Sequence, residues 1–177
     1  MESSKAGLRR TRIRTTGPTE AALVMIADDN EDARDVFEHY LVLQGYRIVT
    51  ALDGVDAVQR AHTCQPDIIL MDLQMPRLDG WEAIRQLKTD PRTASILLVA
   101  ISAYAHDAVR SEARAAGADA SLTKPCLPAQ VSMMVRALLS WRDGKHSPKG
   151  QIAIPAADPL GRQRTSTSSP SQRKLDL

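Results

Sequence analysis

Five side chains in this sequence have the types that phosphoryl chemistry at a metal requires. Asp28 and Asp29 are adjacent, Asp72 stands apart, Ser102 offers a hydroxyl and Lys124 an ammonium. Carboxylates gathered at one place repel one another and take up protons unless a cation joins them. A hard divalent ion with oxygen ligands, Mg²⁺ above all, answers that need. Lys124 would add a second positive charge from another side. A carboxylate beside Mg²⁺ and an ammonium is placed to attack a phosphoryl group and hold it as an aspartyl phosphate. The two cations neutralise charge on the transferring oxygens, and the Ser102 hydroxyl can hydrogen-bond one of them.

These residues are far apart in the chain, so a fold must collect them, and the hydrophobic pattern says which. Short apolar or β-branched runs predict strands at Leu23–Ala27, Arg47–Thr50, Asp67–Met71, Ile96–Ile101 and Asp119–Thr123. Helices fill the intervals. The first starts near Asp32 with Val36, Phe37, Tyr40 and Leu43 on one face, and Gly45 suits the left-handed position after its end. Asp53 is a candidate N-cap for the second, which runs through Cys64 and is broken by Pro66. The third spans Gly80 to about Thr89, ahead of Pro91. Ala105–Ala116 is closed by Gly117, and Pro128 starts a last helix with a stripe of Val131, Met134, Val135 and Leu138.

Strands joined through helices are parallel, with right-handed crossovers. The expected fold is therefore α/β: a doubly wound, five-stranded parallel sheet with helices on both faces. Such sheets place their sites at the carboxyl ends of the strands. There the first strand delivers Asp28 and Asp29, the third Asp72, the fourth Ser102 and the fifth Lys124. The second ends on Thr50-Ala51-Leu52 with no ionisable group, which fits a place at the sheet edge.

Composition narrows the field further. The 177 residues carry 23 Lys+Arg and 21 Asp+Glu, a net charge of +2. That total divides unevenly: +3 over residues 1–20, −5 over 21–141 and +4 over 142–177. We expect one domain over 21–141 between two basic tails, the second rich in Ser and Pro, too poor in apolar residues to order themselves. The longest apolar run, Ala21 to Ala27, is far below the roughly 18 residues of a membrane span. Two cysteines, Cys64 and Cys126, exclude a disulfide scaffold and fit a reducing, cytoplasmic setting. The four histidines are scattered and form no metal-ligand pattern.

Residues 21–141 resemble a response-regulator receiver domain of two-component signalling. The matching motifs are Asp28-Asp29, the segment Asp72-Leu73-Gln74-Met75-Pro76-Arg77-Leu78-Asp79-Gly80, Ser102-Ala103 and Lys124-Pro125, in order and each at a strand end. The resemblance implies a flavodoxin-like sheet of order 2-1-3-4-5 and Asp72 as phosphoacceptor. It implies Mg²⁺ held by Asp28, Asp29, Asp72 and the Gln74 backbone carbonyl. Lys124 would pair with the phosphoryl group, Ser102 would be the switch hydroxyl, and the Lys124–Pro125 peptide would be cis. Two positions depart from the family pattern. Ser121 stands where an aromatic is usual, so output would run through backbone and loop shifts. Cys126 stands where Phe is common, either as a small buried hydrophobe or as a redox-sensitive thiol. Tyr104, two residues after Ser102, and Gln74 are further candidate modulators.

The implied function is a stand-alone response regulator. It would receive phosphate from a histidine kinase or phosphotransfer protein, lose it by slow self-hydrolysis, and signal by binding a downstream protein. The 36 residues after the domain are too short and polar for an output domain. An alternative is an interaction module that keeps the fold without switching, for which Ser121 is the support. A haloacid-dehalogenase-like phosphohydrolase is disfavoured: its second Asp, two residues after the nucleophile, would fall at Gln74. The basic tails lack interleaved aromatics and a groove-reading helix, so specific nucleic-acid readout is not expected.

Overall fold

The computed structural model describes residues 21–104 and 107–144. Both basic ends lie outside the described residues, apart from Arg142, the last residue of a helix, and the turn at 143–144 after it. So do Ala105 and His106, where the fourth helix was expected to begin. Ten elements alternate: β1 Leu23–Ala27, α1 Glu31–Leu43, β2 Arg47–Ala51, α2 Gly54–Cys64, β3 Ile68–Asp72, α3 Gly80–Thr89, β4 Leu97–Ser102, α4 Asp107–Ala116, β5 Ala120–Thr123 and α5 Pro128–Arg142. All pairings are parallel and the sheet order is β2-β1-β3-β4-β5. The doubly wound α/β fold expected from the pattern is thus the observed one, with β2 at an edge.

Alternation along the strands builds two cores, because successive strand residues point to opposite faces. Met25, Ile69, Met71, Leu98 and Ala100 pack under α2, α3 and α4. Val24, Ile26, Ile68, Leu70, Val99 and Ile101 pack under α1 and α5. Every residue of β3 and β4 is buried, as central strands covered on both sides require. Truncating one such residue, Leu70→Ala for example, costs about 2–5 kcal/mol through lost transfer energy and the cavity left behind.

The helix boundaries follow their caps. Asn30, Asp53 and Asp79 each accept a hydrogen bond from the backbone N–H three residues on, starting α1, α2 and α3. Val131, Met134, Val135 and Leu138 are all buried on α5. The apolar face expected on α1 needs correction. Phe37 and Leu41, four apart, face the sheet, whereas Val36 and Leu43 are 54% and 70% exposed. The true stripe is rotated by about one residue, because Leu41 rather than Tyr40 completes the pair with Phe37. Asp67 and Asp119 fall just outside β3 and β5 rather than opening them, and their carboxylates serve the sheet instead.

Candidate functional site

Each candidate residue reaches the carboxyl rim because its strand stops there. Asp28 follows β1, and Asp72 and Ser102 are the last residues of β3 and β4. Lys124 follows β5, and its N–H donates to the Ser102 carbonyl at 2.7 Å, which sets β4 and β5 side by side at the rim. The Leu73 N–H likewise donates to Ile101, extending the β3–β4 pairing one step past Asp72.

Carboxylate oxygens of Asp28, Asp29 and Asp72 lie within 4.8 Å of one another. Asp28 and Asp72 are buried and Asp29 is exposed. The Lys124 ammonium bridges two of them, donating to Asp28 Oδ2 at 2.8 Å and to Asp72 Oδ2 at 2.7 Å. The second oxygens are fixed by backbone: the Asn30 N–H donates to Asp28 Oδ1 at 2.9 Å and the Gln74 N–H to Asp72 Oδ1 at 3.1 Å. Arg34 donates to the Asp28 carbonyl at 2.7 Å, pinning the turn into α1.

The electrostatics follow from burial. Loss of water pushes the Asp72 carboxyl above its ordinary range, against the hydrogen bonds from Lys124 and Gln74 that favour the charged form. Burial alone would lower the Lys124 ammonium, but its bonds to Asp28 and Asp72 outweigh that and raise it. The Lys124 ammonium pairs with two of the three carboxylates, and Arg34 reaches the Asp28 carbonyl rather than a carboxylate, so the cluster keeps negative charge without a paired cation among the described residues. A divalent cation fits it by charge and by donor chemistry, since hard oxygens are what Mg²⁺ takes.

The loop from Asp72 into α3 is packed tightly. A Cβ on Gly80 would run into the Asp72 carbonyl and Leu73, so only glycine lets α3 start this close to β3. The Lys124–Pro125 peptide is cis. Ser102 is buried at the rim, and its Oγ accepts from the Tyr104 N–H at 3.1 Å. Tyr104 itself is 53% exposed. Ser121 is half-buried in β5, beside Ala100.

Cys126 lines a cleft of about 470 Å³ with Asn30, Ala33, Phe37, Lys124 and Pro125. It packs against the α1–α5 core, and burial pushes its thiol up. That favours the small-hydrophobe role over a reactive thiolate. One contact had no signal in the strand ends: the exposed Arg77 of the loop after β3 forms an ion pair with the buried carboxylate of Asp53, at the start of α2. The cue available in sequence was the cap residue Asp53 itself, whose second oxygen needed a partner once buried.

Among known families, the response regulator receiver domain matches residues 24–136. The alkaline phosphatase synthesis transcriptional regulatory protein PhoP of Bacillus subtilis is 31% identical over 135 residues, 76% of this chain and 52% of the relative. The polar-differentiation response regulator DivK of Brucella anthropi is 33% identical over 102 residues, 58% of this chain and 83% of the relative. The chain thus spans about half the length of the first of these curated relatives and most of the second. Among solved structures, the chemotaxis protein CheY4 of Vibrio cholerae superposes with a TM-score of 0.63 at 26% identity, over 66% of this chain and 98% of that one.

Proposed function

The chain belongs to the response regulator receiver domain family of two-component signalling, and from that premise we propose that Asp72 is the phosphoacceptor of a stand-alone response regulator. The observation that carries this reading is the Lys124 ammonium bridging Asp28 and Asp72 beside a third carboxylate. In the resting state Lys124 shares its charge between two acids. When a phosphoryl donor approaches, an oxygen of Asp72 attacks phosphorus. The bond from phosphorus to the donor nitrogen or oxygen breaks, and its electron pair leaves with the donor.

Asp28, Asp29, Asp72 and the Gln74 carbonyl would hold Mg²⁺, which supplies Lewis-acid neutralisation of the transferring oxygens. Lys124 then turns from the carboxylates to a phosphoryl oxygen, and the Ser102 hydroxyl donates to another. Water then attacks phosphorus slowly, the bond to the Asp72 oxygen breaks, and inorganic phosphate leaves with the carboxylate restored. The donor is a histidine kinase or a histidine phosphotransfer protein, and the output is altered binding of a downstream protein. The stand-alone reading takes its support from DivK, 83% of which this chain covers, against 52% of PhoP. Two free cysteines fit a reducing cytoplasm, and among the described residues no helix is long and apolar enough to cross a membrane.

The test is direct. With Mg²⁺ and a small acyl phosphate, the chain should gain one acid-stable, base-labile phosphate. Asp72→Ala should gain none. Equal incorporation in the two would sink the assignment. Ser121 at the usual aromatic position favours the non-switching adaptor as a second reading, which predicts no change in amide exchange of α4 or α5 with a phosphoryl mimic.

A further inference from the structure

β2 alone brings no ionisable group to the rim, yet the turn that follows it reaches the acceptor loop. Asp53 is 3% exposed and uses Oδ1 to accept the Asp56 N–H at 3.0 Å, capping α2. Its Oδ2 is paired with the Arg77 guanidinium. A buried carboxylate needs such a partner, because an uncompensated charge there is costly. Arg77 pays for the geometry in its backbone: its φ is 66°, a left-handed conformation unusual for a residue with a Cβ. The Leu78 N–H turns back to the Pro76 carbonyl at 2.8 Å, closing the bend on which Arg77 sits. A second, independent contact is made at the same place. A Cβ on Gly54 would collide with the Leu78 carbonyl, so the start of α2 and the loop touch backbone to backbone.

The loop from Leu73 to Asp79 is therefore held from three sides. Gly80 seats its end on the Asp72 carbonyl, the Gln74 N–H ties its start to Asp72 Oδ1, and Arg77 ties its middle to Asp53. Gln74 lies three residues before Arg77, between two of these ties. We propose that Arg77 is a positioning residue for cation binding and phosphoryl transfer. Through Asp53 it holds the loop in the form that presents Gln74 beside Asp72. The inference rests on the reading that Asp28, Asp29, Asp72 and the Gln74 carbonyl hold Mg²⁺. It adds a carboxylate outside that set on which the set's affinity depends. Groups that orient metal ligands commonly change affinity by about 10–100-fold when removed.

The experiment is calorimetric titration of the full chain with Mg²⁺ alone, for the parent, Arg77→Gly, Asp53→Asn, the double variant and Arg77→Lys. Asparagine keeps the α2 cap, and glycine relieves the left-handed backbone, so neither loss of capping nor new strain confuses the result. Each single variant should bind about tenfold more weakly, following the behaviour of ligand-orienting groups. The double variant should be no worse than either single one, since both break the same pair. Arg77→Lys, which keeps the charge, should recover part of the affinity. Amide exchange of residues 73–79 in metal-free protein should quicken in both single variants. Affinity equal to the parent, additive losses, or unchanged exchange would each overturn the positioning role. A parent that binds no Mg²⁺ would overturn the reading beneath it, an outcome distinct from a parent that binds with every variant alike.

Discussion

At the amino edge of the sheet, Asp67 and Asp119 each meet one cation and one backbone amide. Asp67 accepts from the Leu23 N–H at 2.8 Å and from Arg142, at the end of α5, at 3.0 Å. Asp119 accepts from the Leu98 N–H and from Lys88, near the end of α3, each at 2.8 Å. At the carboxyl rim the same side-chain types are arranged differently. There Asp28 and Asp72 share the ammonium of Lys124, and Asp29 stands beside them with no cation paired to it among the described residues. At the amino edge each of these carboxylates has a cation of its own against it, Arg142 also reaching Asp143 at 3.6 Å, and the contacts tie helix ends to strand starts. At the rim the carboxylates outnumber the ammonium paired with them among the described residues, and the cluster has the ligands to hold a divalent cation. Matched pairs build structure, whereas an unmatched cluster of the same residues stores an electrostatic demand that a ligand can meet.

The sharpest way to break this contrast is to neutralise one carboxylate at each edge. Asp72→Asn should abolish phosphate incorporation, a loss of at least about 10³-fold given that the nucleophile is gone. Asp119→Asn should leave incorporation within about twofold of the parent while lowering stability, by about 1–3 kcal/mol for a lost charged hydrogen-bond partner. Phosphorylation by a small acyl phosphate and urea unfolding, run on both, read the two effects. If Asp119→Asn cost activity without stability, the division of labour between the edges would be wrong.

Next in size is the cation at each edge. Lys124→Ala should slow phosphoryl transfer by about 10²-fold, the scale of losing one donor to a developing anion. Lys88→Ala should act on the melting temperature alone. Mg²⁺ sharpens the same line: at about 100 times its Kd it should stabilise the parent by about 2.7 kcal/mol. That gain should vanish in Asp29→Asn and survive in Asp67→Asn, as thermal melts with and without chelator will show.

The smallest expected effect is on pH. The folded Asp72 carboxyl is raised by burial, so it holds its proton to higher pH than in the unfolded chain. Ionising it therefore costs stability above the folded pKa, and the cost fades as pH falls toward the unfolded value. Metal-free parent should melt a few degrees below Asp72→Asn at neutral pH. The gap should narrow as pH is lowered through the acid range, and Mg²⁺ should close it at neutral pH. Lys124 has the same sense in a different window: its raised pKa lends stability that is present below the ordinary lysine value and lost as pH rises through the folded one. An unchanged gap across the acid range would show that Asp72 is not held above its usual range.

Much of this was legible in the chain before any coordinates. β1 and α3 fall where the apolar run and the Gly80 and Pro91 signals put them, and the rim residues follow from where each run stops. Local rules suffice there, since a buried strand needs a continuous apolar run and a polar residue ends it. The α1 face is not fixed by sequence, because Val36, Phe37, Tyr40 and Leu43 leave two rotations of the helix open, and only packing against the sheet selects Phe37 with Leu41. Asp67 and Asp119 adjoin apolar runs and so read as strand residues; their work as carboxylate clamps depends on Leu23, Arg142, Leu98 and Lys88 coming near.

Composition, periodicity and the residues at strand ends were enough to specify the α/β sheet and the identities of Asp28, Asp29, Asp72, Ser102 and Lys124, because those are properties of short segments. Which carboxylates would be buried, which of them Lys124 would bridge, and that Asp53 would hold Arg77 were settled only by tertiary structure. These depend on distances between segments remote in the chain, and on the loss of water that gives a charge its partner.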